Sequence, residues 1–212
     1  AGNEFKDKTG FVHQMWQTDF TYFKILGWGW YYLSTVLDDY SRYIVHWELC
    51  SSMKADDVKR TVDVAIKKAK LVTKQKPKLL SDNGSCYIAT ELKSYLKDNY
   101  QMQQVHGRPN HPQTQGKIER YHRTMKNVVK LDNYFAPEEL EAALEKFVHR
   151  YNNERYHESL NNLTPADVYF GRGELILKER ERLKKIAIMN RRNEYQKSKL
   201  LTKQKNHLSL NY

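Results

Sequence analysis

The chain has 212 residues, 40% of them hydrophobic, and a formal charge of +11. That suits one principal domain with a core and an extension, and no apolar run nears the roughly 20 residues needed to span a bilayer. Two cysteines, Cys50 and Cys86, make neither a disulfide framework nor a zinc site; they read as small buried side chains in a reducing, cytosolic setting.

Residues 1–12 read as irregular, and Ala1 in place of an initiating Met leads us to expect a fragment or a processed product. Trp, Phe, Thr and Tyr crowd 15–23, which reads as a strand. Gly27 and Gly29 mark a turn, 30–37 reads as a second strand, Asp38 to Arg42 as a turn, and 43–49 as a third strand. Short connections make these three an antiparallel meander. From 54 to 70, Ala55, Val58, Val62, Ala65, Ile66 and Ala69 recur at helical spacing. Pro77 precedes a short buried strand at 78–81; a helix at 90–98 and a strand at 101–105 follow, an order that implies a parallel crossover. Gly107, Pro109 and Pro112 make 106–112 a loop. A long helix is predicted over 114–131, and another from Pro137, a residue favoured at the first helical position. Thr164 and Pro165 open a short helix ending near Gly171, and 175–192 is helix-prone and basic. The fold class is therefore α/β: a mixed five-stranded sheet, three strands antiparallel and two parallel, flanked by helices. Three segments are expected: 1–12 irregular, 13–171 a folded core, and 172–212 a basic, partly helical extension.

The charge is uneven. Residues 172–212 hold twelve Lys and Arg against four Asp and Glu, a surplus of eight that leaves only three for the rest of the chain. A basic tail of this kind points to a polyanion partner.

Three carboxylates stand out in this background. Asp19 interrupts the aromatic first strand, where a charge needs a partner. Asp82 follows the fourth strand, at the strand end where open α/β sheets place ligands. Glu119 lies in the first turns of a basic helix. Oxygen-only ligands suit Mg²⁺ or Mn²⁺. Two such ions roughly 3.5–4 Å apart can activate an attacking oxygen and stabilise a leaving one. The residues thus point to metal-dependent phosphodiester chemistry on nucleic acid.

Four segments carry a resemblance: Trp-Gln-Thr-Asp at 16–19, Leu-Asp-Asp-Tyr-Ser-Arg at 37–42, Ser-Asp-Asn-Gly-Ser at 81–85, and His-Pro-Gln-Thr-Gln-Gly-Lys-Ile-Glu-Arg at 111–120. Over about residues 14–171 the chain resembles the integrase core of the D-D-E recombinases, which include retroviral integrases and bacterial insertion-sequence transposases. The segments Tyr-Asn-Asn-Glu-Arg-Tyr-His-Glu-Ser-Leu at 151–160 and Leu-Thr-Pro-Ala at 163–166 resemble the bacterial transposases. The resemblance implies a ribonuclease-H-like fold, with Asp19, Asp82 and Glu119 as catalytic and metal-holding residues and two Mg²⁺ (or Mn²⁺) ions per site, Asp19 bridging them. Between Asp82 and Glu119 lie 36 residues, one more than is usual in the family. Neither the zinc-binding His-His-Cys-Cys module of retroviral integrases nor a helix-turn-helix is present in this sequence, so an end-recognition region is expected elsewhere.

Arg123 and Lys126 follow Glu119 by four and seven positions, which places all three on one helix face. Cations beside a metal ligand can grip phosphates, and the resemblance implies DNA contact for both. It implies the same for Gln115, four before Glu119, and Lys117 and Asn83 are expected to join them. His106 and His111 border the loop as DNA-contacting or structural residues, and His122 neighbours the basic face. Tyr22, Trp30, Tyr31 and Trp47 fall in strands and are assigned mostly to the core.

The expected function is cleavage at element ends followed by 3′-OH strand transfer into target DNA. The expected partners are double-stranded DNA (element ends and target) and further copies of the chain, with no membrane, in a bacterial, nucleoid-associated cytoplasmic setting. A structure-selective nuclease of the same fold is one alternative. A DNA-binding or assembly module without catalysis is another.

Overall fold

The computed structural model describes residues 8–71, 76–107 and 115–208, and side chains as far as residue 201. Its first strands are β1 (Met15–Ile25), β2 (Gly29–Asp38) and β3 (Ile44–Cys50). They pair antiparallel in sequence order, as the short turns dictate. The β1–β2 turn needs glycine: Gly27 and Gly29 sit at φ +80° and +96°, in the left-handed region. Helix α1 (Ala55–Lys68) crosses to β4 (Lys78–Ser81), which joins β1 in parallel with Met15 opposite Lys78 and Gln17 opposite Leu80. Helices α2 (Ser85–Ile88) and α3 (Thr90–Tyr100) lead to β5 (Gln104–His106), parallel to β4. The sheet order is β3-β2-β1-β4-β5. Helices α4 (Gly116–Val129), α5 (Pro137–Asn153) and α6 (Pro165–Tyr169) complete the unit.

Strand alternation sends side chains to two helical layers. On one face Phe23, Ile25, Leu33 and Leu37 pack on Ile118, Tyr121 and Met125 of α4 and Leu140 and Leu144 of α5. On the other, Trp16, Val36 and Val45 pack on Val58, Val62 and Ala65 of α1 and Leu92 and Leu96 of α3. Asn152 stitches α5 to the sheet: its Oδ1 accepts from Ile44 N at 2.9 Å and its Nδ2 donates to Ile44 O at 3.1 Å. The 151–160 segment therefore has a structural duty, reinforced by Tyr151, which packs edge-on against Tyr121 at 5.0 Å.

The elements differ from expectation in three places. Gln101 closes α3 in a left-handed conformation, φ 53°, so β5 begins at Gln104 rather than 101. The one-turn helix α2 fills the interval between β4 and α3, where no element is expected. The second compact unit, from Gly171 onward, holds one helix, α7 (Gly173–Leu208), of 36 residues. Along its exposed surface run the pairs Glu174–Lys178, Glu179–Arg182 and Glu181–Lys185, at spacings that support an isolated helix. No helix among the described residues is long and apolar enough to cross a membrane.

Candidate active site

Asp19 lies in the middle of β1, opposite Thr35 of β2, on the face that α4 covers. Its Oδ1 accepts from Phe20 N at 2.8 Å, and its side chain is 22% exposed. Asp82 follows β4 directly, and its Oδ1 accepts from Gly84 N at 2.8 Å, which closes a tight turn. A Cβ on Gly84 would meet that oxygen at 2.9 Å, so any larger residue there would push the Asp82 carboxylate aside. The parallel register brings the two acids side by side: Gln17 pairs with Leu80, and two residues further each strand reaches its aspartate.

Two neighbours feel both charges. Burial, then Asp82 and to a lesser degree Asp19, pushes the Cys86 thiol up to about 11. The fully buried Tyr87 phenol is raised as well, first by burial, then by Asp19, with Asp82 contributing less. One small region thus holds both carboxylates.

Glu119 is exposed on the first turn of α4. Among the described residues no three of His, Cys, Asp and Glu gather closely enough to hold a metal ion, so Glu119 does not close a three-ligand cluster with the aspartates. The helix presents His122 to Asp19 instead: Nδ1 lies 3.4 Å from Oδ2, and the imidazole is buried. No local pattern announced this contact, which comes from the packing of α4 on β1. The chemistry of the assembled pair still fits a hard cation: two carboxylates side by side, with one oxygen of each free of backbone donors among the described residues.

The basic residues divide. Arg123 is exposed. The Lys126 ammonium stands over the Tyr22 ring at 4.7 Å; burial, then the charge of Lys130, lowers its pKa, and Asp19 opposes the shift. Asn83 donates to Gly107 O at 3.1 Å and ties the Asp82 turn to the end of β5. His106 bears on the same turn, with Nδ1 at 3.1 Å from Asp82 O. His111 lies outside the described residues.

Lys117 and Gln115 have inward-facing positions. Lys117 Nζ donates to Asp39 O at 2.7 Å and to Asp39 Oδ2 at 2.5 Å. Asp39 Oδ2 also accepts from Thr9 Oγ1 at 2.6 Å, and its Oδ1 from Gln17 Nε2 at 2.6 Å. Gln17 Oε1 in turn accepts from Ile118 N at 3.0 Å. This partly buried chain pins the first turn of α4, and with it Glu119, to β1 and the β2–β3 turn. Gln115 is buried as well, at 7% exposure, and its Nε2 has no protein partner among the described residues. Asp38, beside Asp39, accepts from Ser41 N, Ser41 Oγ and His13 N. The 37–42 segment is thus a bracket that holds the turn, the chain before β1 and α4 together.

An integrase core domain model matches residues 12–112, and a second integrase core domain model matches residues 100–165. The chain belongs to the integrase core domain family. Solved structures share this integrase core fold at low identity. The bovine immunodeficiency virus (BIV) integrase catalytic core is 22% identical, with a TM-score of 0.57 over 78% of this chain and 99% of that one. The HTLV-2 integrase catalytic core, solved in complex with magnesium as a dimeric form, is 18% identical, with a TM-score of 0.56 over 75% of this chain and 96% of that one. The simian T-cell lymphotropic virus intasome, in complex with the PP2A regulatory subunit B56 gamma, gives a TM-score of 0.66 at 18% identity. That match covers 77% of this chain but only 56% of the intasome chain. The mixed sheet in the order β3-β2-β1-β4-β5 is the ribonuclease-H-like arrangement of these cores.

Proposed function

We propose that this integrase core is the catalytic domain of a transposase of the insertion-sequence type. It cleaves phosphodiesters at element ends and joins the freed 3′-OH to target DNA. The observation that carries this reading is the pair of carboxylates, Asp19 and Asp82, at neighbouring parallel strands beside a cationic helix. Asp19 and Asp82 would hold one Mg²⁺ or Mn²⁺, and Asp19 with Glu119 would hold a second once α4 brings Glu119 up to the aspartates. Such ions, when bound, neutralise charge on the reacting phosphate and activate the attacking oxygen. Arg123 and Lys126 hold the phosphates of the scissile strand, and Lys117, through Asp39, sets the position of α4. In cleavage a water oxygen attacks phosphorus and the 3′ oxygen leaves; in joining, a 3′ oxygen attacks the target phosphorus and the target's own 3′ oxygen leaves. No Ser or Tyr nucleophile is required. Joining two ends calls for more than one copy of the chain.

Strand transfer with a pre-cut 3′-OH duplex tests the proposal. Asp19→Asn and Glu119→Gln should each abolish joining and leave duplex binding largely intact, whereas unimpaired joining by either would overturn it. Cleavage without joining by the unaltered chain would point to a nuclease. The separation of Glu119 from the aspartates favours a second reading, a DNA-binding module without catalysis. Calorimetric titration of Mg²⁺ with DNA present decides between them, because that module should bind none.

A further inference from the structure

Beyond Asp19, β1 runs on to Ile25, but β4 pairs only with Met15 to Gln17. Among the described residues no strand pairs with that edge of β1 beyond Gln17. Tyr22 lies three residues, about 10 Å, along it from Asp19, with its side chain on the opposite sheet face and Lys126 of α4 reaching it round the edge. The aromatic residues here are not core. Tyr22 is 49% exposed, Trp30 51% and Trp28 59%. On this face the hairpin extends beyond α1 and α3, while Phe23 and Ile25 on the other face stay buried against α4 and α5, so the core assignment of Tyr22 and Trp30 fails for a geometric reason. Tyr22 and Trp30 stand edge to face, centroids 5.3 Å apart and planes at 79°. Two ammonium groups share the Tyr22 ring, Lys126 at 4.7 Å and Lys130 at 5.7 Å from its centroid, and exposed Lys24 pairs with Trp30 across the hairpin.

This combination specifies a ligand. Neighbouring ammonium groups repel each other, and an anion set between them relieves that repulsion. An exposed indole offers a flat apolar face, which a base can cover only when it is outside a duplex. A second copy of this chain is a poor occupant, since it would bring the same lysines and a net charge of +11. An acidic peptide would answer the lysines but leave the indole uncovered. We infer that the Tyr22–Trp30 hairpin face, with Lys126 and Lys130, is a stacking platform for an unpaired DNA strand leaving the Asp19–Asp82 site. The inference rests on the proposed DNA function and narrows its substrate to ends that are frayed or single-stranded.

The test is fluorescence anisotropy of the full chain, without divalent cation, against a blunt duplex and the same duplex carrying an unpaired overhang. A 2-aminopurine in the overhang reports stacking. The unaltered chain should prefer the overhang by roughly tenfold, the scale of one stacked base, and should quench the 2-aminopurine. Trp30→Ala and Tyr22→Ala should each reduce both signals and leave blunt-duplex affinity within about twofold, with an unchanged circular dichroism spectrum, since both side chains are exposed. Blunt binding with no overhang preference, or a preference that survives both substitutions, overturns the platform alone. Displacement of the overhang DNA by polyglutamate as effectively as by single-stranded DNA also overturns it, because charge alone would then account for binding. Absence of binding to every DNA by the unaltered chain would instead refute the DNA reading itself.

Discussion

Replacing Asp39 with Ala should loosen the start of α4. The Asp39 side chain is 5% exposed, Lys117 is 30% exposed, and Asp39 accepts charge-assisted hydrogen bonds from Thr9, Gln17 and Lys117. Removing one partner of a fully buried ion pair costs about 3–5 kcal/mol. The Lys117 ammonium can turn to water, so the expected loss is about 2–4 kcal/mol, or roughly 5–15 °C in Tm for a domain of this size. Asp39→Asn keeps an acceptor for Gln17 and should cost less, about 1–2 kcal/mol. Urea unfolding followed by circular dichroism gives these values, and a double-mutant cycle with Lys117→Met should return a coupling of about 1–3 kcal/mol. Hydrogen exchange locates the effect: the Ile118 amide, which donates to Gln17 Oε1, should lose protection before the rest of α4. A loss under about 0.5 kcal/mol with unchanged Ile118 protection would refute the reasoning, since the network would then hold nothing in place.

Asn152→Ala strips Ile44 N and O of their partners and should cost about 2–4 kcal/mol in urea unfolding, because two buried backbone groups lose their hydrogen bonds; a loss near zero would mean that water replaces the amide. His46 and His157 are both lowered to about 4, each by burial first and then by neighbouring cations. The unfolded chain takes up their protons near pH 6.5 and the folded chain only near pH 4, so this stability is complete above pH 6.5 and is lost as the pH falls toward 4. After a discount for partial exposure the loss is about 1–2 kcal/mol per histidine, and unfolding curves of His46→Gln and His157→Gln should show a shallower acid decline. Deleting residues from Arg172 onward removes eight net positive charges; DNA affinity should fall and its dependence on salt should flatten, whereas an unchanged slope would exclude contact between this extension and DNA.

The fold was legible wherever neighbours in sequence are neighbours in space. Alternation and the Gly27–Gly29 turn announced the meander, and the Ala55–Ala69 periodicity announced α1, because local geometry fixes both. Asp82 was legible because a strand end and turn chemistry leave local marks, and Asp19 because a charge that interrupts an aromatic strand stands out. The roles of Lys117 and Gln17 were not, since their partners lie 78 and 101 positions away, and no local pattern encodes such a distance. Tyr22 and Trp30 misled for a related reason: alternation tells which side chains share a face but not whether a helix covers it. His122 looked like a surface neighbour of the basic stripe, and only the packing of α4 on β1 turns it toward Asp19.

The pairing of β1 with β4 also governs when the two aspartates meet. β1, β2 and β3 are consecutive and joined by short turns, so they can assemble from local contacts while the chain is still being made. β4 has four residues and docks in parallel only after α1 has crossed the sheet, a non-local step that forms slowly. Glu119 arrives later still, on a helix held by contacts to both earlier strands and the β2–β3 turn. A nascent or partly unfolded chain therefore carries both aspartates without the strand register that sets them side by side. Any activity that needs Asp19 and Asp82 together must wait for the docking of β4.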